Sequence, residues 1–207
     1  KVKVQIAPDT MLFSLLREQG CASVRCACET TNCGLCTVWL DGDPVLSCSV
    51  PAARVEGHTI TTLEGLKAES EALARAMAAE GAEQCGFCAP GLIMNVLALA
   101  RAVKEDPSLV ATREELSRQL AGNLCRCSGY ESQLRAIVRF LNESGVQVGF
   151  EMPELPVNDT SCDGVSYKQI THKQPKKDSK ALLEGRPVYT GDMVPAGALI
   201  VKLKRSP

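Results

Sequence analysis

The sequence predicts an α+β fold, a small mixed domain followed by an all-α four-helix domain. Three observations carry this: a period-two alternation at the start, a two-residue turn signal between apolar runs, and helical periodicity from Ser70 onward. In "KVKVQIAPDT", Val2, Val4 and Ile6 alternate as in a half-buried strand, and Asp9 or Thr10 can cap a short helix. That helix would bury Leu12, Leu15 and Leu16 and stop at Gly20. A cysteine-dense loop from Cys26 to Cys36 leads into "TVWLDGDPVLSC", where Asp41-Gly42 signals a hairpin, and a third strand is expected over His58 to Thr62.

The helical part begins with "SEALARAMAAEG", which sets Leu73, Ala76 and Met77 on one face. Pro90 suits the first turn of a helix running to about Val103. Thr112 with Glu115, and Ser128 with Glu131, have capping-box spacing for two more helices, the last carrying Leu134, Ile137, Val138 and Leu141 in one stripe. The expected boundaries are 1–76 for the mixed domain, 77–145 for the bundle and 146–180 for a linker. Residues 181–207 contain a strand candidate, Ala198 to Leu203, with no closing element, so they read as the start of a domain whose remainder lies elsewhere.

With 23 basic and 24 acidic residues and 4% aromatics, the chain lacks both the charge and the rings that nucleic acid demands. Its longest apolar run, "GLIMNVLALARAV", is broken by Asn95 and Arg101 and is no membrane span, and the opening is no secretory signal. A reducing cytosol is then the expected compartment, where clustered cysteines hold metal more often than they form disulfides.

The chain has 11 cysteines. Cys28, Cys33, Cys36 and Cys48 follow the plant-type spacing C-x4-C-x2-C plus a distant fourth, the pattern that wraps a [2Fe-2S] cluster. Gly34, between two of them, lets the main chain come close without a Cβ. "QCGFCAPG" and "LCRC" place Cys85, Cys88, Cys125 and Cys127 in two loops that each lead into a helix, and four thiols converging between helix ends would make a second site. Two other readings stay open at this point. Four-cysteine zinc sites also use C-x2-C pairs, and Cys85-Gly86-Phe87-Cys88 resembles a thiol-disulfide redox pair, although its usual βαβ context is absent.

"CGLCTVWLDGDPVLSC", "EQCGFCAPGLIM" and "AGNLCRCSGYESQLRAI", in this order, resemble the iron-sulfur portion of the molybdenum hydroxylases, the xanthine dehydrogenase and aldehyde oxidoreductase family. The resemblance covers about residues 1 to 145. It implies a β-grasp ferredoxin domain and a four-helix domain, each holding one [2Fe-2S] cluster. Cys85, Cys88, Cys125 and Cys127 would ligate the cluster nearer the molybdenum, and Cys28, Cys33, Cys36 and Cys48 the one nearer the electron exit. Gln84 matches a family position close to the pterin. Molybdopterin would lie in an adjoining portion, with FAD on another subunit, so the partners implied are a molybdenum-binding and a flavin-carrying or other acceptor component of an oligomeric complex. The tail, "GRPVYTGDM" to "ALIVKLKRSP", resembles the opening of the family's molybdenum-binding portion. The implied substrate is a purine such as xanthine, or an aldehyde, and the hydroxylation site itself is not in this chain.

The sequence departs from the family where glycine usually precedes the first ligand and recurs three residues after it, for here stand Ala27 and Thr31. Cys26 is a rival ligand, read instead as a packed thiol, and Cys21 and Cys162 fall outside the motifs. His58 and His172 cannot form a Rieske-type pair. "KQPKKDSK" from Lys173 to Lys180 reads as a solvated linker face, and Arg126 as either an exposed residue or a charge acting on a cluster.

Overall fold

The computed structural model describes residues 2–153, 161–162, 165–166, 176–186, 189–190, 193 and 195–205. The helix α1 (Leu12–Glu18) precedes an antiparallel sheet of β1 (Thr37–Leu40), β2 (Asp43–Leu46) and β3 (Ile60–Thr61) in the order β2-β1-β3. Four further helices follow: α2 (Lys67–Ala79), α3 (Ala89–Glu105), α4 (Arg113–Leu120) and α5 (Tyr130–Glu143). Beyond them come a small strand pair, β4 (Ser161–Cys162) with β5 (Val165–Ser166), and a short helix α6 (Ser179–Leu183).

The hairpin forms as its turn residues dictate. Leu40 pairs with Asp43 across Asp41 (φ 53°) and Gly42 (φ 101°), both in the left-handed region that a type I′ turn needs. β1 is buried on both faces. Cys36 and Val38 meet Leu12 and Val24, while Trp39 joins the helical core and donates from Nε1 to Met94 O at 3.1 Å. Arg101 lies over the Trp39 ring at 4.0 Å, closing that contact from the solvent side.

The main core lies among the helices, where α2 packs on α5 and α3 through Leu73, Met77, Ile93, Val96, Ile137 and Leu141. The expected boundary between residues 76 and 77 lies within the continuous helix α2. Pro90 sits in the first turn of α3, and the Thr112–Glu115 capping box starts α4 as its spacing predicts.

Several local expectations need correction. Residues 2 to 10 form no strand, and Val2 (75%) and Val4 (43%) are exposed, because alternation makes a strand only where a free sheet edge receives it. α1 is capped by the backbone of Met11, with no side-chain hydrogen bond from Asp9 or Thr10. At α5 the second capping box does not form. Ser128 takes φ +57°, Gly129 becomes the N-cap, and the Glu131 carboxylate pairs with Arg113 and Arg135 instead. Ala198 to Leu203 join no sheet among the described residues, and Leu199, Ile200, Val201 and Leu203 are exposed. Within the basic stretch expected to be a solvated linker, Ser179 is buried and α6 buries Leu182 and Leu183 against α2 and α3, because an apolar pair follows it. His172 and residues 173–175 lie outside the described residues.

Candidate metal centres

The first site is a loop folded around its own thiols. After α1, Gly20 (φ +85°) turns the chain, and residues 21–36 return it to β1. Cys33 and Cys36 are buried, and Cys28 and Cys48 are half-buried. The N–H groups of Asn32 and Thr30 point at the Cys28 sulfur and, helped by the Cys33 thiol, hold the Cys28 pKa down to about 6. Burial pushes the Cys33 thiol up. Cys48 arrives from the end of the hairpin, where burial first and then the neighbouring Cys36, Cys26 and Cys28 push it up to about 12. Thiols that perturb one another in this way can all ionise together only if a cation lies among them.

The second site lies between helix ends. Cys85, Cys88, Cys125 and Cys127 line one small cavity with Gln84, Gly86, Gly129 and Gln133. Within it, Cys88 and Cys125 perturb each other's ionisation, as do Cys85 and Cys127. Burial, then Cys125 and Cys85, raise the Cys88 thiol to about 12. For Cys125 burial works upward, but the N–H of Gly129 and the Cys88 thiol outweigh it and lower the pKa. The Cys125 N–H donates to Tyr130 Oη at 2.7 Å, which fixes the C-x-C loop on the first turn of α5. The Phe87 N–H donates to Cys85 Sγ at 3.5 Å.

In each site the main mutual influence on thiol ionisation runs in two pairs, Cys28 with Cys33 and Cys36 with Cys48, Cys85 with Cys127 and Cys88 with Cys125. Two pairs of soft donors, with N–H groups aimed at sulfur, fit a dinuclear iron-sulfur group that offers two thiolate positions on each iron. None of the ten cysteines with described side chains forms a disulfide.

The two sites are stitched together. The Leu124 N–H, one residue before Cys125, donates to Cys33 O at 2.9 Å. Asn123 Nδ2 reaches Gly34 O at 3.5 Å, and Asn95 Nδ2 holds Asn123 Oδ1 at 2.8 Å. Three glycine backbones make the close approach. A Cβ on Gly34 (φ +74°) would lie 2.3 Å from Gly122 O, and one on Gly91 would lie 2.5 Å from Gly34 O. The missing Cβ of Gly34 thus serves contact with the second site's loop. Of the two departures from the family pattern, Thr31 keeps a left-handed backbone at φ +60°, uncommon for residues other than glycine, whereas Ala27 does not; Glu29 in the same loop takes φ +52°.

Three residues of the second site carry no spacing signal. Arg25, 5% exposed, donates through Nη1 to Gly86 O at 2.8 Å and Phe87 O at 3.2 Å, and its guanidinium lies 5.3 Å and 5.0 Å from the centroids of the Phe87 and Tyr189 rings. Tyr189 Oη in turn donates to Cys85 O at 2.8 Å. Gln133, also 5% exposed, reaches Cys88 Sγ. A buried polar position in the apolar stripe of α5 was the available signal for Gln133, whereas Arg25 and Tyr189 come from distant segments.

Gln84 is exposed at the mouth of this site, where its Nε2 donates to Cys127 O at 3.3 Å and its carbonyl accepts from Lys176 Nζ at 2.6 Å. Cys85 is exposed beside it. Arg126 is exposed. Cys26 sits beside Cys48, Cys21 packs half-buried against the smaller core, and His58 Nδ1 pairs with Asp41 on the hairpin surface. Cys162 lies in β4.

A family model described as a [2Fe-2S] binding domain matches residues 62–138. The xanthine dehydrogenase iron-sulfur-binding subunit of Escherichia coli O157:H7 is 44% identical over 139 residues, spanning 66% of this chain and 85% of that subunit. The nicotinate dehydrogenase small FeS subunit of Eubacterium barkeri is 40% identical over the same shares of both chains. Among solved structures, the aldehyde oxidoreductase of Desulfovibrio gigas superposes with a TM-score of 0.69 at 28% identity, covering 92% of this chain and 20% of that one. The chain thus spans a fifth of that oxidoreductase, and the match extends into the tail beyond the region shared with the small subunits. Two thiol-rich sites on this framework, together with these likenesses, establish that the chain belongs to the molybdenum hydroxylase family of oxidoreductases, within its iron-sulfur subunits and domains.

Proposed function

We propose that this chain carries electrons for a molybdenum hydroxylase, from a molybdopterin site, through two [2Fe-2S] clusters, to flavin or another acceptor. Cys85, Cys88, Cys125 and Cys127 hold the cluster nearer the molybdenum, and Cys28, Cys33, Cys36 and Cys48 the cluster nearer the exit. The sheet part is a β-grasp ferredoxin domain and the helical part its four-helix companion. The observation that carries this reading is the direct bond between the sites, Leu124 N–H to Cys33 O at 2.9 Å, which joins the residue before Cys125 to a residue of the other thiol set.

Each bound cluster supplies storage for one electron at a time. The chain does the rest. Its N–H groups at Thr30, Asn32, Phe87 and Gly129 offset negative charge on the sulfurs. The glycine contacts among Gly34, Gly91 and Gly122 hold the two loops at fixed separation. Gln84 and Cys85, exposed at one edge, present the second site to the molybdenum-binding partner, where Gln84 contacts the pterin. The relatives named for xanthine and nicotinate, and the neighbour named for aldehydes, support a purine, another N-heterocycle or an aldehyde as substrate, and a reducing cytosol suits the free thiols.

An anaerobic reductive titration of the iron-loaded chain tests this reading. Bleaching of the visible spectrum should be complete after about two electrons per chain. A colourless zinc protein that takes up no electrons, the zinc-stabilised interaction module, would contradict it. So would thiol-disulfide exchange at Cys85 and Cys88 that persists after metal removal.

A further inference from the structure

Gln133 is an anomaly in its own helix. It precedes Ile137 by one turn on the buried face of α5, where Ala136, Ile137, Phe140 and Leu141 are all buried. At 5% exposure its amide has little access to water, so it must find partners inside. One partner is sulfur: Gln133 Nε2 lies 3.7 Å from Cys88 Sγ. The same side chain lines the cavity that contains all four thiols of the second site. A metal-bound thiolate can only accept hydrogen bonds, so the amide nitrogen, and not the oxygen, must face it.

We propose that Gln133 is a positioning residue that sets the reduction potential of the second cluster, by donating an N–H···S hydrogen bond to Cys88. The proposal rests on the assignment of Cys88 as a cluster ligand. Reduction adds negative charge to a cluster and its thiolates, and a donor to sulfur stabilises that reduced state more than the oxidised one. Gln133 therefore holds the potential of this site higher than an apolar residue would. The first site lies in another loop and, among the described residues, receives no hydrogen bond from Gln133, so it serves as an internal reference.

The test is an electron paramagnetic resonance redox titration of the iron-loaded full chain beside its Q133L and Q133M variants, which keep similar volume and remove the donor. The second-site signal is assigned by its loss in C125S. The expected result is a midpoint shifted to more negative potential for that signal in both variants, with the first-site midpoint and iron content unchanged. An unshifted second-site midpoint would overturn the proposal. So would equal shifts at both sites, which report a general disturbance, or loss of the second site's iron in both variants, which would make Gln133 an assembly residue. Absence of a second signal in the unsubstituted chain would overturn the ligand assignment itself, and the inference with it.

Discussion

Replacing Gly34 with alanine attacks the contact between the two thiol loops. Two costs follow from the structure. At φ +74° an L-residue is strained by about 1–2 kcal/mol. The new Cβ would also lie 2.3 Å from Gly122 O and 2.7 Å from Asn123 Nδ2, and since the first of these is backbone, relief requires the loop to move. Overpacking of this kind adds about 1–3 kcal/mol. Gly57→Ala is the matched control, for Gly57 has φ +82° with nothing within 4 Å of its Cβ position, so only the conformational cost applies. The gain from a stiffer unfolded chain is common to both substitutions and cancels. Thermal unfolding of the iron-loaded chain, followed anaerobically by circular dichroism, should show a Gly34→Ala midpoint lower than that of Gly57→Ala by about 2–12 °C, at about 2–4 °C per kcal/mol for a chain of this size. Equal midpoints would refute the argument that this glycine exists for close approach of the loops.

Arg25→Met should destabilise the chain by about 3 kcal/mol in the same assay, since it removes charged donors from Gly86 O and Phe87 O in a buried setting, while Tyr189→Phe, which loses the bond to Cys85 O, should cost about 1 kcal/mol. Glu64 links stability to pH. Burial works to raise its pKa, but the hydroxyl and N–H of Ser23, at 2.6 and 2.8 Å, prevail with Thr62 and hold it below the usual carboxylate range. A carboxyl whose folded pKa is depressed adds stability above its unfolded pKa and loses it as pH falls through the folded value. Ser23→Ala should therefore cost about 1.5 kcal/mol at pH 7 and progressively less as the pH falls below about 4, read from urea unfolding at several pH values.

Much of the frame was legible because its signals are local. Asp41-Gly42 forms its hairpin, Pro90 opens α3 and Thr112 with Glu115 caps α4, since each depends on residues at most a few positions apart. The failures came where a local signal needed a distant partner. Val2, Val4 and Ile6 alternate, but no sheet edge receives them. Ser128 and Glu131 have the right spacing, yet the C-x-C loop drives Ser128 to φ +57°, and Arg113 from α4 captures the Glu131 carboxylate. The eight thiols were found by spacing and fall into two groups in the structure, while Arg25 and Tyr189 were missed because tertiary contact brings them to the second site across the chain, and Gln133, six residues after Cys127, shows only as a polar position in the apolar stripe of α5. The apolar pair Leu182 and Leu183 could have warned that the basic segment before it was not wholly solvated.

The central claim is that eight cysteines hold two separate [2Fe-2S] clusters. Its most direct test is iron per chain together with low-temperature electron paramagnetic resonance of the dithionite-reduced protein, repeated for Cys33→Ser and Cys125→Ser. About four irons and two distinct signals are expected, with each substitution removing a different signal and about two irons. About two irons with a single signal in the unsubstituted chain, or zinc in place of iron, would contradict the account.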